Sequence, residues 1–256
     1  MTMTLTEAKT ITGHKAGLGK PSKMPGYSTA IPAQACRTGA KLAKIPGSVC
    51  AGCYAMRGNY LYKSVREGLA RRMAALDNPR WVDGMVRLIG HYTKEGDPYF
   101  RVHDSGDFQS QRHIQQWVEV ARRLPWVNFW VPSKEVRDVK AVQRATDDWP
   151  PNLVIRLSAP MLGKALGAWG APTPTSTVDA GVGHRCPAPT QGNKCGDCRA
   201  CWDPTVSNVD YHKHERGGLS RRGRPRPILL GRLLQVSPPV GTISNKGGSE
   251  KRTKVL

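Results

Sequence analysis

The chain has 256 residues, 39% of them hydrophobic, enough for one sizeable domain with a tail or for two small domains. Its 39 Lys and Arg against 19 Asp and Glu give a net charge of +20, which attracts polyanions but carries no sequence recognition by itself. No apolar run approaches the roughly 18 residues of a membrane span, and the N-terminus lacks the basic flank and apolar stretch of a secretory signal, so a cytoplasmic protein with unpaired thiols and no membrane partner is expected.

Residues 1–26 are polar and rich in Gly, Lys and Pro and read as a flexible N-terminal segment. The GLGK quartet within them lacks the spacing of a phosphate-cradling loop. A short strand is expected at Tyr27–Ile31, stopped by Pro32. A first cysteine group follows: Cys36, then, after thirteen intervening residues, Cys50, then Cys53 in CxxC spacing. Three thiols leave one corner of a cubane iron–sulfur cluster open, or call for a histidine to complete a zinc site.

Ser64–Leu76 reads as a helix with Ser64 as N-cap and Glu67 completing a capping box, and a second helix runs over Trp81–Tyr92. From Tyr99 the pattern alternates. Strands are expected at Tyr99–His103, Val127–Val131 and Leu153–Leu157, with helices at Ser110–Leu124 and Glu135–Asp147 between them. Strand, helix and strand joined by short turns imply right-handed parallel crossovers, hence an α/β fold. It is read as a partial parallel (β/α) barrel or an open parallel sheet, with the cysteine-rich loops at the strand C-terminal ends.

Ligands bind at those ends. There stand His103, Asp104 and Asp107 as candidate catalytic groups, and Ser105, Gly106 and Ser158 as candidate cofactor contacts. Helix-start and turn chemistry explains Asp104 and Asp107 equally well, and a buried structural role explains His103. Arg101 and Arg156 interrupt apolar strands; they either line a barrel interior near an anionic ligand or lie on a solvated strand face. Ala159–His184 is a long loop rich in Gly, Ala, Pro and Thr.

The second cysteine group is CPAPTQGNKCGDCRAC: Cys186, Cys195, Cys198 and Cys201, four thiols in sixteen residues. Two consecutive two-residue gaps, plus a distant cysteine followed by Pro187, are typical of iron–sulfur ligation, here with the distant cysteine first. Four thiolates also suit tetrahedral zinc. The expected cofactor is an iron–sulfur cluster of the [4Fe-4S] kind, with zinc as the alternative.

IPAQACRTGAKLAKIPGSVCAGCYAMRGNY, FRVHDSGDF, PPNLVIRLSA and CPAPTQGNKCGDCRACWDP together resemble the phage gene product 88 family over residues 20–214. The resemblance implies a phage-encoded cytoplasmic protein with all seven cysteines as signature positions. Three cysteines after a first strand plus a C-terminal cluster look, more loosely, like radical S-adenosylmethionine enzymes. The thirteen-residue first gap and the position of Tyr54 after Cys53 depart from that pattern, so cleavage of S-adenosylmethionine is not implied.

The domain is expected over residues 27–211 and a basic disordered tail over 212–256. The tail holds Arg222-Gly223-Arg224-Pro225, which resembles an AT-hook core able to enter a narrow minor groove. The leading functional expectation is an iron–sulfur protein with redox or radical activity. The alternatives are a zinc-stabilised nucleic-acid-binding protein acting through that tail, or an inhibitor of a host protein.

Overall fold

The YFRVH, VNFWV and LVIRL runs form neighbouring strands because β-branched and aromatic residues suit a pleat covered on both faces. The computed structural model describes residues 3–93, 97–167, 170 and 172–213. Over these residues it holds one seven-stranded, all-parallel open sheet. Its strands are β1 (Tyr27–Ser28), β2 (Tyr99–Arg101), β3 (Asn128–Ser133), β4 (Leu153–Ser158), β5 (Thr175–Val178), β6 (His184–Arg185) and β7 (Asn208–Tyr211), in the order β1-β2-β3-β4-β5-β7-β6.

Six α-helices accompany the sheet: α1 (Leu5–Ile11), α2 (Arg37–Leu42), α3 (Lys63–Ala74), α4 (Trp81–Thr93), α5 (Gln111–Arg123) and α6 (Val136–Arg144). Strand order advances in one direction from β1 to β5, so right-handed crossovers carry α4, α5 and α6 to the same face. There Phe100, Phe129 and Leu153, aligned by the register of β2, β3 and β4, meet Trp81, Met85 and Trp117 in the main core. Trp117 packs against Trp81, Phe100 and Phe129 with centroids 5.3, 5.9 and 6.3 Å away.

The alternate residues of the same strands, Arg101, Trp130, Val154 and Arg156, face the other way. Trp202, in a 3-10 turn (Ala200–Trp202), covers part of that face. It packs on Tyr99 and Trp130 at 5.2 and 5.3 Å and donates its indole N–H to the Phe100 carbonyl at 3.1 Å. The second cysteine segment therefore lies against the sheet itself.

Several expectations need correction. The N-terminal segment, expected to lack regular structure, carries helix α1. Thr4 caps α1 by accepting from Glu7 N, and α1 packs on α4 at Gly84, where a Cβ would stand 2.7 Å from Thr12 Cγ2. Buried His14 then ties the following loop to the end of β1 through Thr29 Oγ1 at 2.8 Å, and burial holds its imidazole neutral, down at about 3. Helix α3 starts one residue before Ser64, with Tyr62 at the cap position and no side-chain cap bond, so the Ser64–Glu67 capping box does not form. The loop expected over Ala159–His184 contains β5 and begins β6.

Ser110 does cap α5, accepting from His113 N at 3.1 Å. All described residues fall within one compact unit, 1–216. The Arg222-Gly223-Arg224-Pro225 motif, and all of the expected tail beyond Lys213, lie outside the described residues. Among the described residues no helix is long and apolar enough to cross a membrane.

Candidate functional site

The loop after β2 is knitted to the chain leaving β1. Thr29 N, Asp104 N and Ile31 N bond in alternation across the two segments, at 3.1 Å each. Gly106 makes this approach possible: its φ is +86°, and a Cβ there would stand 2.3 Å from Ile31 Cγ1 and 2.8 Å from the Ile31 carbonyl oxygen. Ser105 spends its hydroxyl on the same carbonyl at 2.9 Å. Both residues shape the loop that the sequence marked as a cofactor contact.

Asp107 is buried and fully engaged. Phe108 N and Ser133 Oγ donate to one carboxylate oxygen at 2.8 and 2.7 Å, and Lys134 N to the other at 2.8 Å. Burial pushes its carboxyl up to about 6 against the pull of these donors. Ser133 also accepts from Glu135 N. Glu135, buried and not singled out by its sequence position, receives Thr38 N at 2.8 Å and Thr38 Oγ1 at 2.9 Å. This relay, Asp107–Ser133–Glu135–Thr38, holds the first turn of α2 beside Cys36, so Asp107 and Glu135 position the first cysteine loop. The other end of that loop docks on the chain after β4, with Val49 N donating to the Pro160 carbonyl at 2.9 Å and Leu162 N to that of Gly47 at 3.0 Å.

Arg156, wholly buried, has a parallel task on the second group. Its guanidinium donates to the carbonyls of Ala200, Cys201, Asp203, Val206 and Thr175 at 2.6, 3.0, 2.7, 2.7 and 3.3 Å. It clamps the turn that carries Cys201. Those five carbonyls take up the donors that the sequence reading reserved for an anionic ligand. Ser158 pairs with Ser176 across β4 and β5 at 3.0 Å.

Arg101 differs. Its guanidinium lies 4.8 Å from the Trp130 ring, and it reaches Tyr54 Oη at 3.3 Å, but its buried Nε finds no partner among the described residues. Trp130 Nε1, Asp104 Oδ1 and His103 Nδ1 are likewise buried and unpartnered. The other oxygen of Asp104 accepts from Ser28 Oγ at 3.1 Å. Ser28, Arg101 and Trp130 share one row of the sheet register.

His103 belongs elsewhere. Its backbone is left-handed at φ 63°, its ring packs on Phe108 and His113 at 5.0 and 5.3 Å, and burial keeps it neutral. His103 and Asp104 share no hydrogen bond among the described residues: His103 Nδ1 has no partner, and Asp104 accepts from Ser28.

Both cysteine groups flank the Arg101 row. Tyr54, next to Cys53, donates its hydroxyl to the Asp104 carbonyl. On the other side Cys201 Sγ lies 3.1 Å from Tyr211 Oη, whose ring is 6.3 Å from Trp130, and Cys198 Sγ lies 3.4 Å from His184 Nε2. Tyr211 and His184 are partners the sequence reading missed, although His184 stands two residues before Cys186. Cys195 N donates to the Lys23 carbonyl at 2.8 Å.

All seven cysteines are free, half-buried thiols. Burial is the largest influence on Cys36 and Cys201, each pushed up to about 12, and it also raises Cys50, Cys186 and Cys195.

One local feature fits metal ligation. The Sγ atoms of Cys36 and Cys50 each lie 3.6 Å from where a Cβ on Gly39 would be, so the missing side chain keeps a gap between the two thiols. Among the described residues, no three His, Cys, Asp or Glu side chains stand close enough to hold one metal ion.

The family model described as gene product 88 matches residues 2–204. Comparison with curated proteins and with solved structures returns no match, and nothing found extends to radical S-adenosylmethionine enzymes.

Proposed function

We propose that this chain, which belongs to the gene product 88 family, is an iron–sulfur protein whose two cysteine groups hold their metal on either side of Arg101. The carrying observation is the pair of independent anchors, Glu135 on Thr38 for the first group and Arg156 on the Ala200–Val206 carbonyls for the second. Each fixes backbone beside a cysteine without touching a thiol. The unpartnered N–H groups of Arg101 and Trp130 suit a site that contains sulfide and thiolate, which accept such bonds and have their potential tuned by them. Iron–sulfur bound there supplies one-electron redox chemistry. Arg101 contributes positive charge, and Asp107 and Glu135 hold the first loop in register. Thiols that must stay reduced suit a cytoplasmic location.

Zinc in the second group is the second reading, favoured by His184 Nε2 beside Cys198 Sγ. Visible absorbance and electron paramagnetic resonance of the full chain, purified without oxygen and reduced with dithionite, separate the two. Iron–sulfur predicts a coloured protein that bleaches on reduction, with signal lost on Cys50→Ser, on Cys198→Ser, or in parts on both. A colourless protein containing only zinc overturns the first reading.

A further inference from the structure

The first cysteine loop and the chain after it carry a surface chemistry that metal ligation does not use. Between residues 37 and 66 stand Arg37, Lys41, Lys44, Arg57, Lys63 and Arg66, with no Asp or Glu. Arg37 pairs with Asp138 at 2.6 Å, and Lys63 only reaches Glu67 at 4.0 Å. The other four cations show no ion pair among the described residues, and all are exposed. Of the seven exposed large hydrophobic side chains among the described residues, five fall between Ile45 and Tyr62, which concentrates them on this same stretch.

Exposed rings interleaved with unneutralised cations fit a ligand that offers flat apolar faces and regularly spaced negative charge. Single-stranded nucleic acid has both, whereas a duplex hides its base faces in the stack. Tyr54 is prepared for such a ligand. Its hydroxyl is engaged by the Asp104 carbonyl and Arg101, and Tyr60 meets its ring edge-on at 5.9 Å, yet the residue as a whole remains 39% exposed. Its orientation is set in advance, so stacking a base on it costs little ordering entropy. Tyr62, 63% exposed at the start of α3, offers a second ring.

We infer that residues 37–66 form a binding surface for single-stranded nucleic acid, with Tyr54 and Tyr62 as stacking platforms and Lys44, Arg57, Lys63 and Arg66 on the phosphates. The surface goes beyond the metal reading and holds whichever metal the cysteines take.

The test uses the full chain with fluorescein-labelled oligo(dT) and a duplex of equal length, followed by anisotropy across a salt series. Tyr62→Ala, an exposed site that leaves the fold intact, should weaken oligo(dT) binding about tenfold, within the span of one lost stacking contact, and leave duplex binding unchanged. Lys63→Gln with Arg66→Gln should flatten the salt slope by about 1.4, at roughly 0.7 per phosphate contact on a single strand. Because the chain beyond residue 213 is also basic, photo-crosslinking of an iodouracil oligonucleotide with peptide mapping locates the contact. Adducts on peptides containing Tyr54 or Tyr62 support the surface. Adducts confined to residues beyond 213, or wild-type oligo(dT) affinity in Tyr62→Ala, overturn it.

Discussion

Replacing Arg156 by methionine keeps an unbranched apolar stem and removes all the guanidinium donors that clamp the Cys201 turn. Five carbonyls, those of Ala200, Cys201, Asp203, Val206 and Thr175, lose N–H partners at 2.6 to 3.3 Å. A hydrogen bond involving a charged group contributes about 1.5–3 kcal/mol, so simple addition would give roughly 10 kcal/mol. That overshoots, because the substitution also relieves the desolvation of a buried cation and lets water reach carbonyls near the surface. A loss of about 4 kcal/mol is the working value, equivalent to a fall in Tm of roughly 8–16 °C for a domain of this size. Scanning calorimetry reads the global effect. Timed maleimide labelling with mass spectrometry reads the local one: Cys198 and Cys201 should label faster, while Cys36, Cys50 and Cys53 keep their wild-type rates. A Tm within about 2 °C of wild type, or equal acceleration at all seven cysteines, refutes the clamp.

Asp210 is buried and accepts from Thr177 Oγ1 at 2.7 Å, Ala180 N and Gly181 N at 3.0 Å each, and Arg185. Burial pushes its carboxyl up, but these donors outweigh it and hold the group at about 2 instead of 3.8. A carboxyl depressed on folding stabilises above its unfolded value, so urea midpoints should fall as pH drops from about 4 to about 2, and Asp210→Asn should flatten that part of the profile. Gly106→Ala adds a Cβ 2.3 Å from Ile31 Cγ1 at a positive φ and should cost about 3 kcal/mol in urea unfolding, since left-handed strain and overpacking add. Gly39→Val should lower the metal content bound by the first group by filling the gap between Cys36 and Cys50. Valine suits a helix at least as well as glycine, so far-UV circular dichroism should not change.

The central strands and the helices between them were legible because their apolar residues keep a clear period: Phe100, Phe129 and Ile155 sit where alternation places them. Strands β5 and β7 were not. Their sequences, TSTV and NVDY, are polar because Thr177, Asn208 and Asp210 satisfy one another inside the sheet, at 2.7 and 3.0 Å, instead of packing against helices. Helix α1 was missed for a different reason. Seven residues carry too few periods to register, and its stability comes from close packing on Gly84. The cysteines announced themselves by spacing. What supports them did not: Arg101 and Arg156 look alike as single cations in apolar strands, yet one has five carbonyl partners and the other an unpartnered Nε. Glu135 reads as an ordinary helix-start acid until Thr38, 97 positions away in sequence, is folded against it.

The most direct measurement is the iron, acid-labile sulfide and zinc content of the full chain purified without oxygen, beside Cys36→Ser/Cys50→Ser and Cys195→Ser/Cys198→Ser. An iron–sulfur centre held by both groups predicts iron and sulfide in near-equal amounts, each double variant losing its own share and keeping the other's. Protein without iron and sulfide, or with a metal content that neither double variant changes, contradicts it.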